Sequence, residues 1–140
     1  LKNGIPFTIL IVDDDEDDRM IIDEAFKEIN YEAEVKKFID GAGLLRYLEQ
    51  VEPSLYPSLI VLDNTLPKLD ATDILAILKE NPSYQSIPVV VYTTVLSSAK
   101  KQRLLSLGAY ACIEKGSVKN EVVRVAKELK SIAEKKVENE

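Results

Sequence analysis

Five alternations of an apolar run with an amphipathic segment predict an α/β fold, an open, doubly wound parallel sheet with helices on both faces. Three observations carry that prediction. The runs Phe7–Val12, Leu59–Leu62 and Val89–Tyr92 are almost continuously apolar, as strands covered on both faces are. Segments between the runs repeat apolar residues at i, i+3, i+4 and i+7, the signature of a helix buried along one stripe. No linker, repeat or composition break interrupts the 140 residues, a length suited to one domain with a real core.

In chain order, Phe7–Val12 is the first strand, and Ile22, Ala25, Phe26 and Ile29 stripe the helix after it. Val35–Ile39, broken by two lysines, is the second strand, and Leu44, Leu48 and Val51 mark a shorter helix. The third strand, Leu59–Leu62, runs into Asp63, Asn64, Thr65 and Pro67, turn formers that end it. Ala71, Ile74, Leu75 and Leu78 stripe the third helix. Val89–Tyr92 is the fourth strand, and the helix near Ser98–Leu107 stops at Gly108, a favoured residue just past a helix end. Tyr110–Ile113 is the fifth strand. Val122, Val125, Ala126, Leu129 and Ala133 stripe a last helix, whose end "EKKVENE" is expected to fray.

Composition narrows the function. With 46% apolar and 30% charged residues, the chain reads as an ordinary soluble globule. No apolar run reaches the ~18 residues of a membrane span, and no secretory signal is visible, so no membrane association is expected. The single cysteine, Cys112, has no internal disulfide partner, which makes a cytoplasmic setting the expectation. Cys112 itself reads as a small core residue. A net charge of −6 argues against a nucleic-acid surface. There is no histidine, hence no imidazole base, ligand or phosphohistidine in the chain.

In an open parallel sheet, ligands bind beyond the carboxyl ends of the strands. The residues at those ends are Asp13, Asp14 and Asp15, then Asp63, then Thr93 and Thr94, then Glu114 and Lys115. If the first and third strands are neighbours, Asp13, Asp14 and Asp63 converge. Such carboxylates repel one another, and an oxygen-only set suits Mg²⁺ better than zinc. A hydroxyl and an ammonium on the other side suit an anion. Together these groups form a phosphoryl-transfer constellation. The plainer reading of "DDDEDD" is capping: Asp15–Asp18 complement a helix start. Capping does not explain Asp63 or Lys115.

These residues resemble the receiver domain of two-component response regulators, from Thr8 to about Lys136. "ILIVDDDEDD" is similar to that family's first strand and acid pair, and "LIVLDNTLP" to its third strand with the phosphoacceptor aspartate. "IPVVVYTT" and "GAYACIEKG" are similar to the fourth strand with its switch threonine and the fifth with its lysine. The resemblance implies a flavodoxin-like three-layer (βα)5 fold with sheet order 2-1-3-4-5. It implies that Asp63 takes the phosphoryl group, and that Asp14 binds Mg²⁺ directly with Asp13 assisting through water. The backbone carbonyl of Thr65 would complete the protein ligands. Thr93 would grip the phosphoryl group, and Lys115 would pair with Asp63 and then with the phosphate.

The family pattern is broken at three positions. Gly116 stands where a proline is usual, Cys112 where an aromatic switch residue is usual, and Ala71 where glycine is usual. Tyr110 or Tyr92 is a candidate to replace the aromatic. The resemblance implies a stand-alone receiver spanning residues 1–140 with no effector domain. Its donor would be a histidine kinase or phosphotransfer protein, and its output an unidentified protein target, self-association or onward transfer. The fourth helix, fifth strand and fifth helix would form the binding face. Two other classes compete. "LDNTL" is similar to the nucleophile loop of haloacid-dehalogenase-type phosphatases, but that loop needs an acid at Thr65 and usually follows the first strand. A receiver-like scaffold that works without phosphorylation is the other.

Overall fold

The computed structural model describes residues 7–116 and 119–138. Its elements are β1 (Thr8–Val12), α1 (Glu16–Glu28), β2 (Glu34–Phe38), α2 (Gly41–Gln50), a 3-10 turn (Pro53–Leu55), β3 (Leu59–Leu62), α3 (Ala71–Glu80), β4 (Val89–Thr93), α4 (Ser98–Ser106), β5 (Ala111–Glu114) and α5 (Lys119–Glu138). Five parallel strands pair in the order β2-β1-β3-β4-β5, as expected. Of the end "EKKVENE", α5 includes residues up to Glu138, and residues 139 and 140 lie outside the described residues.

Side-chain alternation along the strands makes two cores. Leu10, Val12, Ile60, Leu62, Val89, Val91 and Cys112 pack on the face covered by α2, α3 and α4. Ile9, Ile11, Leu59, Val61, Val90 and Tyr92 pack on the other, under Ile22 and Phe26 of α1 and Ala126 and Leu129 of α5. β3 and the apolar residues of β1 and β4 are buried because they are covered twice. β2 is different. It is an edge strand, so Lys36 and Lys37 reach solvent, and Lys37 pairs with Asp23 of α1 at 2.7 Å.

The helix starts are chemically specified. Asp15 caps α1 by accepting from the N–H groups of Asp17 and Asp18. Asp40 caps α2 and Ser97 caps α4. Asp70 and Asp73 form a reciprocal capping box at α3. Gly108 follows α4 with φ +110°, a conformation that a side chain would strain. Ala71, in the usual glycine position, is the fully buried first residue of α3. Only β3 keeps both expected limits; elsewhere they shift by one residue, so that β1 starts at Thr8, β2 is Glu34–Phe38, β4 ends at Thr93 and β5 runs from Ala111 to Glu114.

Candidate phosphoryl-acceptor site

The central strands bring the acids together. Val12 lies beside Leu62 in the β1–β3 register, and the Asp63 N–H donates to the Val12 carbonyl at 2.9 Å. The two ladders therefore end level, with Asp13 and Asp63 as the next residues. Asp13 is held firmly: its N–H donates to Phe38 at 3.0 Å, and its carboxylate accepts from the Asp15 N–H at 2.9 Å. Its carbonyl accepts from Arg19 at 2.6 Å. Asp13 is buried, Asp63 half-buried and Asp14 exposed, yet each offers an oxygen within 4.8 Å of the other two. This donor set fits a hard divalent cation: three carboxylates, oxygen ligands only, one side open to water. Thr65 lies two residues beyond Asp63 in the β3–α3 loop.

The positive charge arrives from β5. The Lys115 N–H donates to the Thr93 carbonyl at 2.8 Å, which extends the β4–β5 ladder and points the residue at the site. Its ammonium lies 2.7 Å from Asp13, 2.9 Å from Asp18 and 3.7 Å from Asp63. The expected pairing with Asp63 is thus the longest of three. Burial would lower the Lys115 pKa, but hydrogen bonds to Asp13 and Asp18 and the charges of Asp13 and Asp63 outweigh it and raise it. Burial also pushes the Asp13 carboxyl up, against the pull of Lys115. For this pair the direction at Lys115 governs, because three carboxylates share one ammonium. It stays charged at neutral pH.

Asp18 is the residue that sequence reasoning missed. It sits in the first turn of α1, where capping already accounts for an acid. Thr93 ends β4 as a buried residue, whereas Thr94 is exposed.

A family comparison decides the identity. The response regulator receiver domain matches residues 9–127. The chain belongs to that family. The response regulator Rcp1 of Synechocystis sp. is 39% identical over 96 residues, 66% of this receiver and 65% of that protein. The receiver spans just under two thirds of the length of the curated relatives it matches. A Mn²⁺-bound structure of Rcp1 superposes with TM-score 0.78 at 29% identity, covering 90% of this chain and 93% of that one. A structure of the phosphorylated cyanobacterial phytochrome response regulator RcpA superposes with TM-score 0.80 at 28% identity, covering 91% and 93%.

Where this receiver departs from the family pattern, the packing accounts for the residues. A side chain at Gly116 would run into the Glu121 carboxylate at the start of α5. Cys112 is buried on the α2–α4 face, and burial raises its thiol pKa, so it stays a neutral core group. Of the two candidate tyrosines, Tyr92 does not take its place. Tyr92 is buried on the opposite face with the Lys115 ammonium 5.8 Å from its ring centroid, and Tyr110 is half exposed beside Lys135.

Proposed function

We propose that this chain is a phospho-accepting switch in two-component signalling, with Asp63 the acceptor. The supporting observation is the position of Asp63: at the carboxyl end of the central strand, beside Asp13 and Asp14, with a buried ammonium 3.7 Å away. A carboxylate oxygen of Asp63 attacks phosphorus, and an O–P bond forms as the donor's P–N or P–O bond breaks. The leaving imidazole or acetate departs with the donor's electron pair. Because the chain has no histidine, the donor is external, a partner's phosphohistidine or a small acyl phosphate. Lys115 offsets charge on the transferred group, and the Thr93 hydroxyl donates to one of its oxygens.

Asp13, Asp14, Asp63 and the Thr65 carbonyl would hold Mg²⁺. The bound ion would neutralise the acid cluster and the incoming phosphoryl charge. That Rcp1 has been seen with Mn²⁺ and RcpA phosphorylated supports both parts of the reading. The output is a change in protein–protein contacts, either with a target or with a second copy. A cytoplasmic setting follows from the donor, and among the described residues no helix is long and apolar enough to cross a membrane.

Incubation with Mg²⁺ and acetyl phosphate tests the proposal. One phosphoryl group, about 80 Da, should appear on Asp63 and be lost with hydroxylamine, as a mixed anhydride is. Asp63→Asn should abolish it. Label on serine or threonine would refute the mechanism, and no label from any donor would favour a scaffold that binds without phosphorylation.

A further inference from the structure

The Lys115 ammonium has three N–H donors, and two are committed to carboxylates other than the proposed acceptor. Asp13 takes one at 2.7 Å and Asp18 another at 2.9 Å, whereas Asp63 at 3.7 Å is outside hydrogen-bond distance. Asp18 is 97 residues from Lys115 and comes from α1, not from a strand end. Its place is built. Asp15 accepts from the N–H groups of Asp17 and Asp18 at 2.8 and 3.2 Å, which fixes the turn that carries it. The neighbouring Arg19 is tied to the Asp13 carbonyl.

Exposure separates the two acids that hold the ammonium. The Asp13 side chain is 4% exposed and cannot leave without stranding a buried charge, but that of Asp18 is 33% exposed. Asp18 can give up the ammonium and turn to water at small cost. We propose that Asp18 is a positioning residue that holds the Lys115 ammonium off Asp63 until a phosphoryl group draws it away. This inference rests on Asp63 being the acceptor. A phosphoryl group brings fresh negative oxygens to Asp63, and Lys115 moves to them from Asp18, the contact easiest to break. Asp18 therefore competes with the phosphoryl group for one cation. It favours the unphosphorylated state.

Beryllofluoride, a non-covalent stand-in for the phosphoryl group, tests this in the presence of Mg²⁺. Asp18→Asn should bind it about fivefold more tightly than the unmodified chain, the effect of removing one partly exposed ion pair. Asp18→Glu should return the affinity toward the original. Asp17→Asn, which removes the same charge one residue away, should leave it unchanged. Asp18→Ser provides a second neutral variant if Asp18→Asn folds poorly. An affinity that is unchanged or weaker in both neutral variants overturns the proposal, because a merely structural loss in α1 would not tighten binding. So does equal tightening in Asp17→Asn, which would assign the effect to net charge. If the unmodified chain does not bind beryllofluoride at all, the acceptor reading falls, and the role of Asp18 with it.

Discussion

Lys115 and Asp13, 102 residues apart in the chain, form a 2.7 Å ion pair across the carboxyl edge of the sheet, with side chains only 10% and 4% exposed. Their strands are not neighbours, since β3 and β4 lie between β1 and β5. The pair thus ties the last strand to the first. Breaking such a pair from one side leaves a buried charge and costs about 3–5 kcal/mol. Lys115→Met keeps the apolar stem and removes only the charge. We expect a loss of about 3 kcal/mol in urea unfolding without Mg²⁺, near the low end of that range because the site opens to water at Asp18. A loss within experimental error would mean that the pair contributes nothing net.

The second prediction concerns the acid cluster. Asp13, Asp14 and Asp63 lie within 4.8 Å of one another, and the one ammonium beside them is divided among Asp13, Asp63 and Asp18, so the metal-free protein carries unrelieved repulsion. A ligand specific for the folded state at ten times its Kd adds about 1.4 kcal/mol. For a domain of this size that raises the melting temperature by about 3–5 °C. Asp14→Asn should remove most of this increment while raising the metal-free melting temperature. Calorimetry with and without Mg²⁺ checks both effects, and an unchanged melting temperature at saturating Mg²⁺ would count against the site.

A third prediction lies outside the site. Asp70 accepts from the Thr72 hydroxyl at 2.6 Å and from the Asp73 N–H at 3.0 Å. These bonds, the Thr72 one foremost, hold its pKa below the ordinary 3.8 against partial burial. A depressed folded-state pKa gives stability that is complete above 3.8 and lost as pH falls below it. Asp70→Ala should cost about 1 kcal/mol near neutrality. The difference between the two proteins should shrink as pH falls below 3.8. A constant difference across that range would show that packing, not the ionised cap, is lost.

How far the sequence reveals this molecule depends on the range of the interaction. β3 and the apolar part of β4 were legible because double coverage leaves little room for polar residues, so these runs stand out against turn formers and charges, whereas the buried Thr93 that ends β4 did not. The strand ends then pointed to Asp13, Asp14, Asp63 and Lys115 without any knowledge of contacts. Sheet order was not legible from periodicity and came from the resemblance. Asp18 escaped for a different reason. Its partner is 97 residues away, and its local surroundings already supply a sufficient cause, the acidic first turn of α1. The fate of the missing aromatic was also hidden. Strand alternation places Tyr92 one residue out of phase with Val91, which lies beside Cys112, and so on the other face of the sheet.

The last prediction separates two adjacent threonines. Val89 and Val91 face α2–α4, and period-two alternation puts Thr93 on that side, buried at the end of β4. Thr94 is exposed beyond it. Of the two, Thr93 is the one held by the sheet, one residue beyond the position that the β3–β4 register sets opposite Asp63. Under the proposed function its hydroxyl donates to a phosphoryl oxygen, a bond to a charged acceptor worth about 1.5–3 kcal/mol. That bond forms only after transfer. Thr93→Ala should therefore leave labelling of Asp63 by acetyl phosphate largely intact. It should lower the equilibrium constant for the phosphoryl-induced state about ten- to hundredfold. Sedimentation and partner-binding measurements with and without beryllofluoride would report that loss as a blunted response. If Thr94→Ala blunts the response and Thr93→Ala does not, the hydroxyl that senses the phosphoryl group lies one residue further along the chain.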